Sequence, residues 1–407
     1  MRPLLAAVEV IIVIDPSGSP VTRLRDGERV ALHHVDVPPP LDRALGYMNG
    51  ARSPRDIVEL ASRAGHVFSE QAVQALVADL EAAAMLEGPT RRERRRRLVA
   101  EFERAEVRAA AFAGGAYHGE RDELSRFVED ECIGAVGPAP LAGEVRALVA
   151  PHMDLWRAAV GYGHAYAALS RALPALVDTV VVLGTCHVGL CTPFAFSKKA
   201  FDTPLGPMRS DRALAERVAA RARQDVFAEE YKHKGEHSIE FQVVFLRHVL
   251  GERASEVSIV PVLCGLGASQ ANGEDPARDR DTEAVIDALR HELSDRRTLV
   301  VAGADLAHVG PRFGDARPLD SAGRTRLHAR DRASLDRLQR RDAPGFFADV
   351  TSDQRTRRVC GSGPLYTMLR LIEDAGVGDG SLLAYTQHVD PQEGSIVSHA
   401  SLAFCSE

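Results

Sequence analysis

Apolar positions change their rhythm twice along this chain. In residues 8–34 two β-branched runs, 8–14 and 21–32, are bounded by Asp15-Pro16-Ser17-Gly18 and broken at Asp26-Gly27. Runs and turn residues in that order predict hairpins. After Pro38-Pro39-Pro40 the rhythm becomes helical. Ser53 followed by Pro54 has the form of an N-cap and first helical position, and Ser69 caps a second helix. In the latter Val73, Leu76, Val77 and Leu80 fall on one face. Residues 1–88 therefore read as a small α+β module of winged-helix type. Residues 89–108, PTRRERRRRLVAEFERAEVR, read as a charged, solvated connecting helix.

Beyond about residue 140 short apolar runs bounded by turn residues alternate with helical stretches. The runs are 145–150, 179–183, 257–263, 299–302, 382–385 and 398–404. Alternation of this kind predicts a mixed, largely parallel sheet sandwiched by helices, spanning residues 109–407 as one α/β unit. In such sheets ligands sit beyond the carboxyl ends of the strands.

Composition narrows the classes. With 45% hydrophobic and 26% charged residues over 407 positions the chain can bury a large core. No apolar stretch reaches the roughly 18 residues of a membrane span, and no signal peptide is read at the start, so a cytoplasmic protein is expected. A net charge of −7 argues against nucleic-acid binding, since phosphate contacts need a concentrated positive surface. Six cysteines, at 132, 186, 191, 264, 360 and 405, are too sparse for a disulfide scaffold. Reduced thiols are expected.

Metal-capable side chains follow the predicted strands directly. "RALVAPHMD" places His152 past one strand, "VVVLGTCHVG" places His187 past the next, and "LVVAGADLAHVG" delivers Asp305 and His308. A lone histidine is more often structural than a ligand, but three strands with the same ending bring their imidazoles to one edge. In "GEHSIEFQVVFLRHVLG" His237 and Glu240 are three apart, which on a helix gives them one face. They read either as catalytic or ligand-supporting groups or as a cap and ion pair. "RRVCGSGPLYTML" sets Cys360 before a turn that opens a helix, where a thiolate gains from the helix amino end. Cys186, beside His187, reads as a fourth ligand, a disulfide partner of Cys360 or a buried small hydrophobe.

The segments "APHMD", "VLGTCHVG", "DTPLGPMRSD", "GEHSIEFQ", "VPVLCG", "ADLAHVG", "VCGSGPL" and "SHASLAF" resemble, in order and near spacing, those of the Memo family. The family includes the bacterial proteins called AmmeMemoRadiSam system protein B. "FAGGAYHGERDELSRFVED" resembles its first segment. The resemblance implies a fold like that of class III extradiol dioxygenases and a pocket with two His and a Cys. By motif these are His152, His187 and Cys360, with His308 matching the dioxygenases' acid/base histidine and Asp305 another pocket residue. The chain departs from the pattern at Met153-Asp154-Leu155, at Val188 and at Ser362-Gly363. Residues 1–88, through "LRDGERVALHH", "YMNGARSPRDIVELAS" and "VQALVADLEAAAMLEG", resemble PqqD-like peptide-recognition domains, which implies a groove for a peptide or a partner protein.

Two imidazoles and a thiolate suit one mononuclear borderline-soft ion, Fe(II) or Cu(I) first and Zn(II) next, at about 2.0 to 2.3 Å from each ligand. With Cys in place of the facial carboxylate, ring cleavage is not expected. Two functions follow. One is a metal-dependent oxidoreductase acting on a small molecule or peptide; the other is a non-enzymatic metal-binding adaptor or metallochaperone. The family name implies the company of radical-SAM and AMMECR1-like partner proteins.

Overall fold

The computed structural model describes residues 2–137, 141–265, 270 and 272–406. It divides into two compact units, Met1–Ala105 and Glu106–Glu407.

In the first unit β1 (Glu9–Ile14) and β2 (Pro20–Arg25) form an antiparallel hairpin, and β3 (Val35–Val37) adds to β2. The hairpin closes because the Asp15 carboxylate accepts from the N–H groups of Ser17 and Ser19 while Gly18 takes φ +85°. Helix α1 (Pro54–Arg63) starts at a capping box in which the Ser53 hydroxyl and the Asp56 carboxylate serve each other's backbone N–H. Ser69 caps α2 (Glu70–Ala82), whose Val73, Leu76, Val77 and Leu80 pack on Leu24, Val37 and Ile57.

The helix that follows, α3 (Pro89–Arg104), corrects the reading of residues 89–108 as a solvated connector. Arg91 is only 3% exposed and donates to the Asp26 carboxylate at 2.8 Å and to the Ala84 carbonyl at 3.0 Å. Asp26 also accepts from Val30 N and Ala31 N, so the guanidinium completes a buried carboxylate site and holds α3 in the first unit. The chain divides at Ala105, and Arg92, Arg95, Arg96 and Arg97 remain exposed.

The second unit is built on one nine-stranded sheet. Its centre is parallel, in the order β5 (Val145–Ala150), β11 (Thr298–Gly303), β6 (Thr179–Thr185) and β10 (Ser258–Cys264). Antiparallel strands finish it: β14 (Ile396–Cys405) beside β5, with β12 (Asp305–Val309) and β13 (Ser381–Val389) on β14, and β7 (Phe194–Phe196) on β10. The short β9 (Arg209–Ser210) pairs with β10, and β4 (Val107–Arg108) pairs with β8 (Ala200–Phe201) apart from the main sheet.

Helices cover both faces. After the short α4 (Arg121–Arg126), helices α5 (Leu155–Arg171) and α7 (Glu240–Leu250) pack on one face through Tyr162, Tyr166 and Phe245. On the other lie α6 (Arg212–Arg221), α8 (Arg280–Leu293), α9 (Ser321–Gln339), α10 (Ala343–Ser352) and α11 (Ser362–Leu371). Along β5, Val145, Leu148 and Ala150 enter one core while Ala147 and Val149 enter the other. Burial on both faces is why these strands are continuous apolar runs in the sequence. The fold is thus the mixed α/β sandwich expected of a dioxygenase-like Memo domain.

Candidate metal centre

Strands β5, β6 and β11 run parallel, so their carboxyl ends fall on one edge and His152, His187 and Asp305 follow those ends. The edge is kept open by two glycines. A Cβ on Gly184 would lie 2.5 Å from Ser238 Oγ, and one on Gly303 would lie 2.4 Å from the Ser238 carbonyl. Their absence of a side chain lets the segment before α7 lie across the strand ends and brings Glu236 and His237 to the same place.

Among the described residues, His152, His187 and Cys360 offer ligand atoms that all lie within 4.8 Å of one another. Cys360 Sγ is 3.2 Å from His152 Nε2. Each imidazole is oriented from behind. His152 Nδ1–H donates to the Gly303 carbonyl at 3.0 Å, which leaves Nε2 for the cluster. His187 Nδ1–H donates to the Glu236 carboxylate at 3.1 Å. Cys360 is placed by its own backbone: its carbonyl accepts from Thr185 Oγ1 at 3.0 Å, and Gly361 N–H donates to the Asp305 carbonyl at 3.1 Å. Outer partners that fix ring orientation in this way are what a metal ligand requires.

The charges agree with the geometry. Burial pushes the Cys360 thiol up, but the imidazoles of His152 and His308 and hydrogen bonds from His152 and His187 outweigh it and bring the thiol down to about 5. Burial works against protonation of His152, yet the Cys360 thiolate and Asp305 raise it to about 9. His187 is raised as well, its burial overcome by Glu236. A thiolate with two imidazoles at this spacing fits a tetrahedral ion: ligand bonds of about 2.0 to 2.3 Å put neighbouring donors roughly 3.5 Å apart. The three residues can hold a metal ion.

A second set, His187, Glu236 and His237, lies within the same limit. The Glu236 oxygens already accept from His187 N at 2.9 Å, His237 N at 2.8 Å and Ser238 N at 2.9 Å, besides His187 Nδ1. Those four N–H groups account for the roughly four lone-pair sites of a carboxylate. Glu236 therefore supports His187. Its carboxyl, penalised by burial, is held well below the usual range by His187 and His237.

His237 and Glu240 do not share a helix face. The helix begins at Glu240, so His237 precedes it and stacks on His187 with ring centroids 4.6 Å apart, while lying edge-on to His152 at 5.6 Å. Burial, with His187 and His152 adding to it, keeps His237 neutral, at about 3. Glu240 turns the other way: it is fully buried, ion-paired with Arg108, and accepts from Ala111 N at 3.1 Å, Phe112 N at 2.9 Å and the Tyr117 hydroxyl.

Asp305 and His308 lie on β12, a separate strand that follows β11. Asp305 accepts from His152 N at 3.0 Å, and His152, His399 and His308 together hold its buried carboxyl low against the penalty of burial. His308 Nδ1–H donates to the Leu306 carbonyl at 3.2 Å, which leaves Nε2 free, and its ring meets Phe313 edge-on at 5.0 Å. Cys186 takes no part in the cluster. Its Sγ faces the Gly189 carbonyl at 3.5 Å, and burial pushes its thiol up to about 12. Two contributors escaped the sequence reading, Glu236 and His399. Glu236 stands next to His237 in "GEHSIEFQ"; His399 sits opposite Asp305 across the β12–β14 ladder, with Nε2 buried and unpaired.

A family model described as "Memo-like protein" matches residues 108–403. The chain belongs to the Memo family. Known relatives agree: a MEMO1 family protein of Aquifex aeolicus is 26% identical over 362 residues, covering 88% of this chain and 90% of that protein. One from Methanosarcina acetivorans is 28% identical over 308 residues, covering 73% of this chain and 98% of its own length. A third, MEMO1 family protein TK1477 of Thermococcus kodakarensis, is 29% identical over 306 residues, with 73% and 99% covered. The family match starts at Arg108, the residue whose side chain anchors Glu240, so the Memo domain and the second compact unit begin together.

Proposed function

We propose that this Memo-family protein holds one mononuclear ion on His152, His187 and Cys360 and is a metal-dependent oxidoreductase acting on a small molecule or a peptide. The observation that carries the reading is the mutual approach of the three donor atoms with both imidazole Nδ1 groups already engaged from behind. A thiolate beside two imidazoles favours Fe(II) or Cu(I), with Zn(II) third. Such an ion, when bound, would supply redox or Lewis-acid chemistry at His152, His187 and Cys360.

The chain's own groups have separate tasks in this reading. His308 moves a proton through Nε2, and Asp305 holds the backbone of His152 and the local charge. His237, neutral and stacked on His187, forms a wall that does not compete for protons. Glu240 is left out, because all its partners belong to the segment from Arg108 to Tyr117. Residues 1–88 serve as a PqqD-like docking module for a peptide or for radical-SAM and AMMECR1-like partner proteins in the cytoplasm; the support is the likeness of pattern and the capped helices α1 and α2.

A second reading, a non-enzymatic adaptor or metallochaperone, is favoured by the same soft donor set and its low-lying thiol, which suit carriage of Cu(I) as well as catalysis. Protein purified without air, analysed for metal and then followed for oxygen or electron uptake, separates the two. Turnover that His308→Ala abolishes while metal is retained supports the oxidoreductase. Full metal loading with no uptake turns the choice to the adaptor, and failure to bind any of the three ions overturns both.

A further inference from the structure

In the first unit, Val10, Ile11, Ile12, Val13 and Ile14 form an unbroken apolar run, yet none of them belongs to the unit's hydrophobic core. Val10, Ile12 and Ile14 are 55%, 71% and 60% exposed. Their strand, β1, is the edge of a three-stranded sheet in the order β1-β2-β3. It carries none of the usual guards of a free edge: no lysine, no proline, and a register with β2 that runs through six residue pairs without a bulge. Its single charge, Glu9, is already matched by Arg25 of β2 at 2.6 Å. An edge this apolar and this regular is built to be covered.

The backbone shows how. Asp15 N–H donates to the Ser19 carbonyl at the hairpin's end, so by alternation Glu9, Ile11 and Val13 bond to β2 while the N–H and C=O groups of Val10, Ile12 and Ile14 point to the open side. Pro20 agrees, because its missing N–H falls opposite Ile14, where the hairpin needs none.

We propose that β1 pairs antiparallel with β1 of a second copy of this chain, about a two-fold axis at Ile11, making one six-stranded sheet from two three-stranded ones. In that register Val10 faces Ile12 of the second copy, Glu9 faces Val13, and no charge meets its like. The outward groups of Val10 and Ile12 then satisfy one another across the axis. A shift to an axis at Ile12 sets Glu9 against Asp15, two carboxylates, and is disfavoured. A foreign strand would need apolar side chains at alternate positions and no unpaired charge, and β1, whose one charge Glu9 is already matched by Arg25, is itself such a strand. The contact is isologous and closes at two copies. A contact of one strand pair is expected to be small against the roughly 1,600 Å² of a standard interface, so a dimer of about micromolar affinity that dissociates on dilution is expected.

Sedimentation velocity of the full chain from about 1 to about 100 µM spans that affinity range. The expected mass rises from 44.1 kDa toward twice that value. Ile12→Lys and Ile12→Pro are expected to stay monomeric throughout with unchanged far-UV circular dichroism. Proline is the sharper variant, since it removes only an outward N–H and spares the β1–β2 ladder. A wild-type chain that remains at 44.1 kDa at the highest concentration, or a dimer that survives Ile12→Pro, overturns the proposal.

Discussion

Two glutamates four residues apart, Glu236 and Glu240, are both buried in the second unit, and their surroundings give them opposite work. Around Glu236 the donors are three backbone N–H groups and an imidazole, so the carboxylate orients a ring that faces the cluster. Around Glu240 the donors are a guanidinium, two backbone N–H groups and a phenol, all from the segment between Arg108 and Tyr117, so the carboxylate fastens that segment to α7. Residue type and burial are the same; the partner decides. A buried carboxylate on arginine is a strut, and one on histidine serves the site.

The largest effect expected from breaking this contrast is on Glu240. Arg108→Ala leaves a charge uncompensated in the interior and should cost about 3–5 kcal/mol in a urea unfolding curve. Metal bound per folded molecule should hold. Loss of metal without loss of stability would show that the two carboxylates are not separate in function.

Next comes Glu236→Gln. The amide keeps an acceptor for the backbone N–H groups but no longer fixes His187 by charge, so metal affinity should fall about 10–100-fold. The unfolding curve should move less than that of Arg108→Ala. An unchanged dissociation constant in a competitive chelator titration would remove Glu236 from the site.

These two outcomes also mark how far the sequence could be read. Strands β5, β6, β10 and β11 were legible because burial on both faces makes them continuous apolar runs, and the residues just past β5 and β6 were therefore legible as site residues. Strand β12 was not, since Asp305 and His308 break its apolar pattern while β14 supplies its pairing. Spacing put His237 and Glu240 on one helix face, but the helix starts only at Glu240. Nothing in spacing reveals that Glu236 is held by backbone N–H groups. Arg91 was read with its neighbours as solvated, because its partner Asp26 lies 65 positions away.

Acidity gives a third, smaller effect. His152 is raised to about 9 and Cys360 lowered to about 5, so at neutral pH the pair is imidazolium and thiolate. A bound ion must displace the proton of His152 and that of His187, which Glu236 raises as well. Apparent affinity should therefore rise with pH through neutrality, by up to about tenfold per unit for each proton displaced, and fall more steeply below about 5, where the thiol protonates too. Calorimetry in buffers of differing ionisation enthalpy should register proton release at pH 7. Affinity that is flat between pH 6 and pH 8 would contradict the ion pair.

The smallest effect sets the floor of the scale. Arg96→Gln and Arg97→Gln remove exposed pairs with Glu93 and Glu101 and should shift stability by no more than about 0.5 kcal/mol. A larger shift would mean that this end of α3 is engaged as Arg91 is.

In the proposed site three residues meet at one ion, and X-ray absorption of anaerobically loaded protein observes that directly. The expected spectrum has one sulfur scatterer at about 2.3 Å and two imidazole nitrogens at about 2.0–2.1 Å, with the sulfur lost in Cys360→Ala and one imidazole lost in each of His152→Ala and His187→Ala. A first shell of oxygen and nitrogen alone, or one that persists unchanged through all three substitutions, would contradict it.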